Sequence, residues 1–230
     1  MFRKGAAKWL LLTLFFAVHI AGKSQTPDAT PSPEGENGGL TAIEVFARIP
    51  LDVLDLLRPS TRLDMIDYYQ HADSLLEVTD GLGGKTRFDA VAPDYLKVSV
   101  TPVSTLEIKI LPYNKEQIVM TLYTVGEDSI AGDTQVKFFD AELSPLDTKK
   151  IFKAPAVKDF FNLKDSDLKS SDLAEKIHFA TIAYSTGPGA TPLTATFTAL
   201  STLSSEDRDL LTPLLIPSLC TDWKNKYKFK

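Results

Sequence analysis

Ser104-Thr-Leu-Glu-Ile-Lys-Ile-Leu-Pro112 is the stretch that decides the fold. Successive side chains of an extended chain point to opposite faces, so Leu106, Ile108 and Ile110 share one side while Thr105, Glu107 and Lys109 share the other. Such alternation suits a half-buried antiparallel strand, apolar side on a core and polar side in water. Pro112-Tyr-Asn-Lys-Glu116 reads as a turn, after which the period of two resumes over 117–125. Further strands are expected at 75–79, 86–91, 95–101 and 134–141, with Asp80-Gly81 opening the turn between the first two.

Upstream of this run the period is three-and-four. Ile43, Phe46 and Ala47, then Val53, Leu54 and Leu57, mark a helical region that Pro50 splits in two and Pro59 ends. A third helix is expected from Ser60 or Thr61, with Leu63, Ile66 and Tyr69 on one face. Downstream, Pro155 opens a short helix carrying Val157, Phe160 and Phe161, and Asp172 with Glu175 resembles a capping box. Residues 177–184 are apolar on both faces, which predicts a central strand with His178 in the core. Over 193–200, Leu193, Ala195, Phe197 and Ala199 oppose Thr194, Thr196 and Thr198. Ser204 with Asp207 caps a helix reaching Leu211. In the last residues Lys224, Lys226, Lys228 and Lys230 oppose Trp223, Tyr227 and Phe229, as on a protected edge strand. Together these elements predict an α+β fold, N-terminal helices packed on a largely antiparallel sheet.

The chain's beginning reads as an export signal over residues 1–24. Arg3, Lys4 and Lys8 precede an apolar run from Trp9 to Ala21, and the small residues Gly22 and Ser24 follow two apart. The run falls short of the roughly 20 apolar residues that span a bilayer comfortably. Residues 25–39, rich in proline and glycine, have no large apolar side chain and read as a disordered linker. A single domain over 40–230 is expected after it. The signal holds four of the 25 Lys and Arg and none of the 30 Asp and Glu, so the mature chain carries a net charge of −9. That balance argues against nucleic acid as a partner. Cys220 alone cannot form an internal disulfide, and its apolar neighbours predict a buried thiol.

Motifs for chemistry are sparse. Gly81-Leu-Gly-Gly-Lys-Thr86 resembles the tail of a phosphate loop, yet Thr79 stands where glycine is required and Thr86 begins a strand. Asp64, Asp67 and His71 share one side of a helix, a spacing that a solvated face also produces. The calcium-like start at Asp165 fails at Lys169, Ser170 and Lys176, and Glu127–Asp133 reads as a solvated acidic turn. No metal and no cofactor is expected. After signal removal only His71 and His178 remain, so no catalytic residue is assigned. An assembled Ser–His–Asp triad or a carboxylate pair has no signature in spacing. The Thr194–Thr198 face with Tyr68, Tyr69 and Trp223 offers a possible ligand surface.

Several stretches resemble a domain-of-unknown-function family of exported proteins from Gram-negative gut-type anaerobes. They are Ile49-Pro50, Arg62–Tyr69, Asp94-Tyr95-Leu96, Ser104–Pro112, Thr124 with Asp128-Ser129, and Pro155–Phe161. The resemblance runs over residues 42–161 and implies export and a single domain, with no activity or ligand. The expected function is a non-catalytic binding or interaction module, periplasmic or secreted. Its partner would be an envelope protein or a small ligand, without stable membrane insertion. The alternative is an envelope hydrolase using acidic residues or an assembled Ser–His–Asp site.

Overall fold

Six antiparallel strands in sequence order form the main sheet: β1 (Val78–Thr79), β2 (Lys85–Ala92), β3 (Tyr95–Thr101), β4 (Ser104–Tyr113), β5 (Glu116–Glu127) and β6 (Ile130–Phe139). The computed structural model describes residues 39–71, 77–79, 84–127, 130–164 and 166–229. The signal, nearly all of the linker, the Asp80-Gly81 turn, Gly81–Gly83, Asp128-Ser129 and Asp165 lie outside these residues. Neighbouring strands are joined by short connections. Between β4 and β5, Tyr113 pairs with Glu116 and Asn114 takes a positive φ of 56°. Asparagine tolerates that left-handed conformation, which a two-residue hairpin loop needs.

Among the described residues two helices precede the sheet. In α1 (Ala42–Arg48) the Thr41 hydroxyl accepts from Glu44 N, and the Glu44 carboxylate accepts from Thr41 N at 2.8 Å. This reciprocal box satisfies two amides that the first turn leaves free. Ala42, Val45 and Phe46 are fully buried against β2, β3 and β4. Burying a side chain the size of Val45 or Phe46 contributes about 1.5–3 kcal/mol.

The expected second helix is a succession of turns over 51–57. Its apolar residues Val53, Leu54 and Leu57 are buried nonetheless. Helical bonding is displaced there because Arg62, 1% exposed, takes the carbonyls: Nε donates to Leu57 O (2.8 Å), Nη2 to Leu54 O (2.9 Å) and Nη1 to Ile49 O. Pro59 does not end a helix; it is the first residue of α2 (Pro59–His71), a position where its missing N–H costs nothing. The buried face of α2 is Arg62, Met65 and Ile66, while Leu63 is 57% exposed. Tyr69 touches Phe88 edge-on across 5.9 Å.

The other face of the main sheet is covered as well. Leu111, Ile118, Met120, Leu122 and Phe138 pack with Ile151, Phe160, Leu173, Tyr184, Leu193 and Phe197 in a second core. Its elements are α3 (Thr148–Ile151), β7 (Phe152–Lys153), α4 (Ser170–Lys176), β8 (Ile182–Ser185), β9 (Leu193–Phe197), α5 (Ser205–Leu211), β10 (Ser218–Thr221) and β11 (Tyr227–Lys228). Strands β8, β9 and β10 form an antiparallel sheet with β9 in the middle. Helices and a large antiparallel sheet make the fold α+β, with helices on both sides of the sheet in chain order rather than only before it.

Four local expectations are corrected here. The strand expected over 177–184 starts only at Ile182 and lies at a sheet edge, which leaves His178 exposed and Phe179 82% exposed. Cys220 is exposed, because on edge strand β10 it alternates outward with Ser218. Asp172 is not the residue that begins a capping box with Glu175: it lies inside α4, three residues after the N-cap Lys169, and its carboxylate accepts from Lys169 N. The C-terminal strand is reduced to Tyr227–Lys228, paired parallel with β7. Trp223 instead donates from Nε1 to Pro112 O at 2.6 Å.

Candidate functional site

The polar side of β4 faces the second core, not water. Glu107 is 5% exposed and Lys109 is 2% exposed. The Lys109 ammonium donates to Asp94 Oδ2 (2.6 Å), Gly187 O (2.8 Å) and Gly189 O (2.6 Å). Asp94 also accepts from Gly189 N, and Glu107 Oε2 accepts from Thr186 N at 3.0 Å. Burial raises the Glu107 pKa above the ordinary carboxylate range, although Thr186 N, Lys97 and Tyr95 pull the other way. The cluster ties the β8–β9 loop to the β2–β3 turn and to β4. Every strong donor in it is already engaged, which suits a clamp better than a reaction centre. Alternation alone concealed it, since a half-buried strand has the same pattern.

A cleft of about 640 Å³ opens between the ends of α4 and α5, lined by Lys176, His178, Phe179, Leu203, Ser204 and Asp207 among others. Here a serine, a histidine and an aspartate meet, residue types that spacing did not single out as a set. Their contacts run in the wrong order for a nucleophilic relay. Ser204 Oγ donates directly to Asp207 Oδ2 (2.8 Å) and accepts from Asp207 N (3.1 Å), the geometry of a helix cap. Asp207 is also held by Lys176 Nζ at 2.7 Å, and this bond, then that from Ser204, keeps its carboxyl below the ordinary range. A carboxylate so stabilised is a poor proton acceptor near neutrality. Among the described residues no hydrogen bond joins His178 to Ser204 or Asp207. A triad requires histidine between the other two.

A third feature is basic. Because β11 pairs with β7, Lys228 stands beside Lys153. Lys149, Lys150, Lys153, Lys226 and Lys228 surround a groove of about 260 Å³ whose apolar lining is Ile151, Phe152 and Tyr227. All five lysines are exposed. Lysines 226 and 228 belong to the alternating row read in the sequence. The other three join them only through a parallel pairing that no local pattern announces.

The remaining sequence candidates do not converge. Asp67 and His71 meet at 3.1 Å on the exposed side of α2. Among the described residues no group of three or more His, Cys, Asp or Glu forms a metal-holding cluster. Thr194 and Thr196 alternate outward on β9, and Thr194 Oγ1 lies 3.5 Å from Cys220 Sγ. Tyr68 and Tyr69 lie on α2, while Trp223 packs with Tyr227 at 4.9 Å in the second core. The Tyr227 hydroxyl is buried without a hydrogen-bond partner, and burial raises its pKa. Among the described residues no helix is long and apolar enough to cross a membrane.

Comparison with known proteins places this architecture among relatives. No curated protein matches the chain. A solved structure, that of a domain of an uncharacterized protein from Porphyromonas gingivalis W83, superposes with a TM-score of 0.68 at 20% sequence identity. The match covers 80% of this chain and 96% of that one, and at this identity it establishes likeness of fold alone. The family model described as "Protein of unknown function (DUF3256)" matches residues 38–229, so nearly every element above falls within it. The chain belongs to this DUF3256 family of proteins of unknown function.

Proposed function

We propose that the mature chain is an exported binding module of the cell envelope, periplasmic or secreted, without catalysis of its own. The observation that carries this reading is the 640 Å³ cleft. Its Ser204 and Asp207 are spent on capping α5, while Phe179 stands 82% exposed at its rim. An exposed aromatic beside a partly polar cleft supplies apolar contact area with a few orienting groups, which is what a small-ligand site needs. Export is supported by the basic start, apolar run and small-residue pair of residues 1–24.

Two measurements test the reading. Intact mass of protein recovered from outside the cytoplasm should begin near Gln25; a species retaining Met1 overturns export. Purified mature protein is then assayed on chromogenic ester, peptide and glycoside substrates. In parallel, its amide spectrum is titrated with sugars, amino acids and cell-wall peptides. Saturable shifts at Phe179, Thr181 and Leu203 without turnover are expected. Turnover lost on Ser204→Ala or His178→Ala establishes the hydrolase instead. Absence of both shifts and turnover removes the cleft as the binding site.

A further inference from the structure

We propose that the lysine groove between α3–β7 and β11 is an anion site for a compact phosphate ester, of the size of a phosphorylated sugar. It shares no lining residue with the Phe179 cleft and is a separate site. Five lysines converge there on a chain whose net charge is −5, and −9 once the signal is removed. The chain has 30 acidic residues available to pair with such lysines. Yet the one ion pair found at these five among the described residues is Lys150 with Asp147, at 3.8 Å between two exposed side chains. Contacts of that kind neutralise little. Asp222 also lies near enough to act on Tyr227, so two carboxylates stand against five lysines; like charges in such excess repel one another, and a bound anion reduces that cost.

The size of the groove selects among anions. About 260 Å³ holds few chemical groups, so charge must be dense. A phosphate monoester puts roughly 1.5–2 negative charges and three acceptor oxygens on one centre. Lysine ammonium groups are compact point charges on flexible stems and need no planar, fork-shaped partner. They can close on a tetrahedral phosphate from several sides. Ile151, Phe152 and Tyr227 leave an apolar lining for the carbon skeleton. The phosphate could be carried by a free sugar or by a lipid headgroup, and the chemistry recognised is the same.

The test uses mature protein with glucose 6-phosphate, glucose, and vesicles of phosphatidylcholine with or without phosphatidic acid. Expected are saturable amide shifts over 151–153 and 226–228 with the sugar phosphate and none with glucose. Changing Lys153, Lys226 and Lys228 together to Gln should weaken binding about tenfold or more, since electrostatic attraction scales with the charges near the ligand. Changing Arg48, Arg58 and Lys85 together to Gln removes equal charge elsewhere, at exposed positions on α1, before α2 and on β2, and should leave binding within about twofold, distant exposed charges being screened by salt. Binding to phosphatidic acid vesicles alone, lost in the groove variant, keeps the site and assigns the phosphate to a lipid. Equal loss in both triple variants overturns the proposal, as does the absence of binding in every arm. Melting of each variant is measured alongside, and changing the three exposed groove lysines should leave it unchanged or slightly raised, since it relieves their mutual repulsion.

Discussion

Replacing Lys109 with methionine tests the buried clamp on which the second layer hangs. The substitution keeps length and apolar stem but removes the ammonium that Asp94, Gly187 O and Gly189 O share. Gly187 is buried, so its carbonyl loses its partner where water cannot replace it, at about 1–3 kcal/mol. Gly189 is exposed and Asp94 is 38% exposed, so both rehydrate and their loss is smaller, about 1 kcal/mol together. Against this, the methionine no longer carries the desolvation cost of an ammonium on a side chain that is 3% exposed. The net expectation is a loss of about 1–3 kcal/mol, which for a domain of this size lowers Tm by about 2–12 °C. Scanning calorimetry with hydrogen exchange checks it. Amides over 186–191 should lose protection before the rest of the main sheet, because the loop is what the ammonium holds. Asp94→Asn should cost less, and the double variant should cost less than the two losses added, since the residues share one bond. A Lys109→Met protein melting at or above the parent, with unchanged loop protection, would refute the reasoning. It would mean that desolvation cancels the three bonds.

Two further predictions follow from the buried charges. Burial raises the Glu107 pKa, so the folded chain holds a proton that the unfolded chain has already lost, and stability falls as pH rises from the ordinary carboxylate range through the raised value. Glu107→Gln should therefore gain Tm relative to the parent across that window, with a plateau above it; a difference independent of pH in calorimetry would exclude this. Arg62→Leu leaves the Ile49, Leu54 and Leu57 carbonyls without their donor and should cost about 3–5 kcal/mol in urea unfolding. Arg62→Lys keeps the charge without the planar fork and should recover less than half of that; full recovery would show that charge alone suffices.

Period and burial were legible in different degrees. The apolar alternation of Leu106, Ile108 and Ile110 reads correctly because a one-residue slip would turn all three out of the core beneath α1 and put Glu107 and Lys109 in their place. The polar alternation of Glu107 and Lys109 misleads. Charge on a strand signals water only when nothing with opposite or hydrogen-bonding character lies across from it. Asp94 and the Gly187–Gly189 carbonyls, at least 78 residues away in the case of the glycines, supply that character. Arg62 is the same case in helical form. Its neighbours Leu63 and Ile66 suggest an apolar face, yet the guanidinium goes inward because Ile49 at the end of α1 and Leu54 and Leu57 in the turns of 51–57 offer three carbonyls to bond it.

The candidate sites were less legible than the fold for a related reason. Capping is local, so Ser204 with Asp207 is readable from spacing, and the structure keeps it as a cap. Whether the same two residues also catalyse depends on where His178 falls, and that depends on β8 being an edge strand that starts five residues later than its apolar run suggests. The lysine groove depends on one parallel pairing of two residues, Tyr227 with Phe152 and Lys228 with Lys153. Neither partner segment contains a signal for the other, because strand pairing over about 75 residues is decided by the cores beneath, here Ile151 and Tyr227 packing into the second core. Apolar residues of that core thus determine where the exposed lysines gather. A substitution that shifts Tyr227 should therefore disperse the basic groove without touching a single charge.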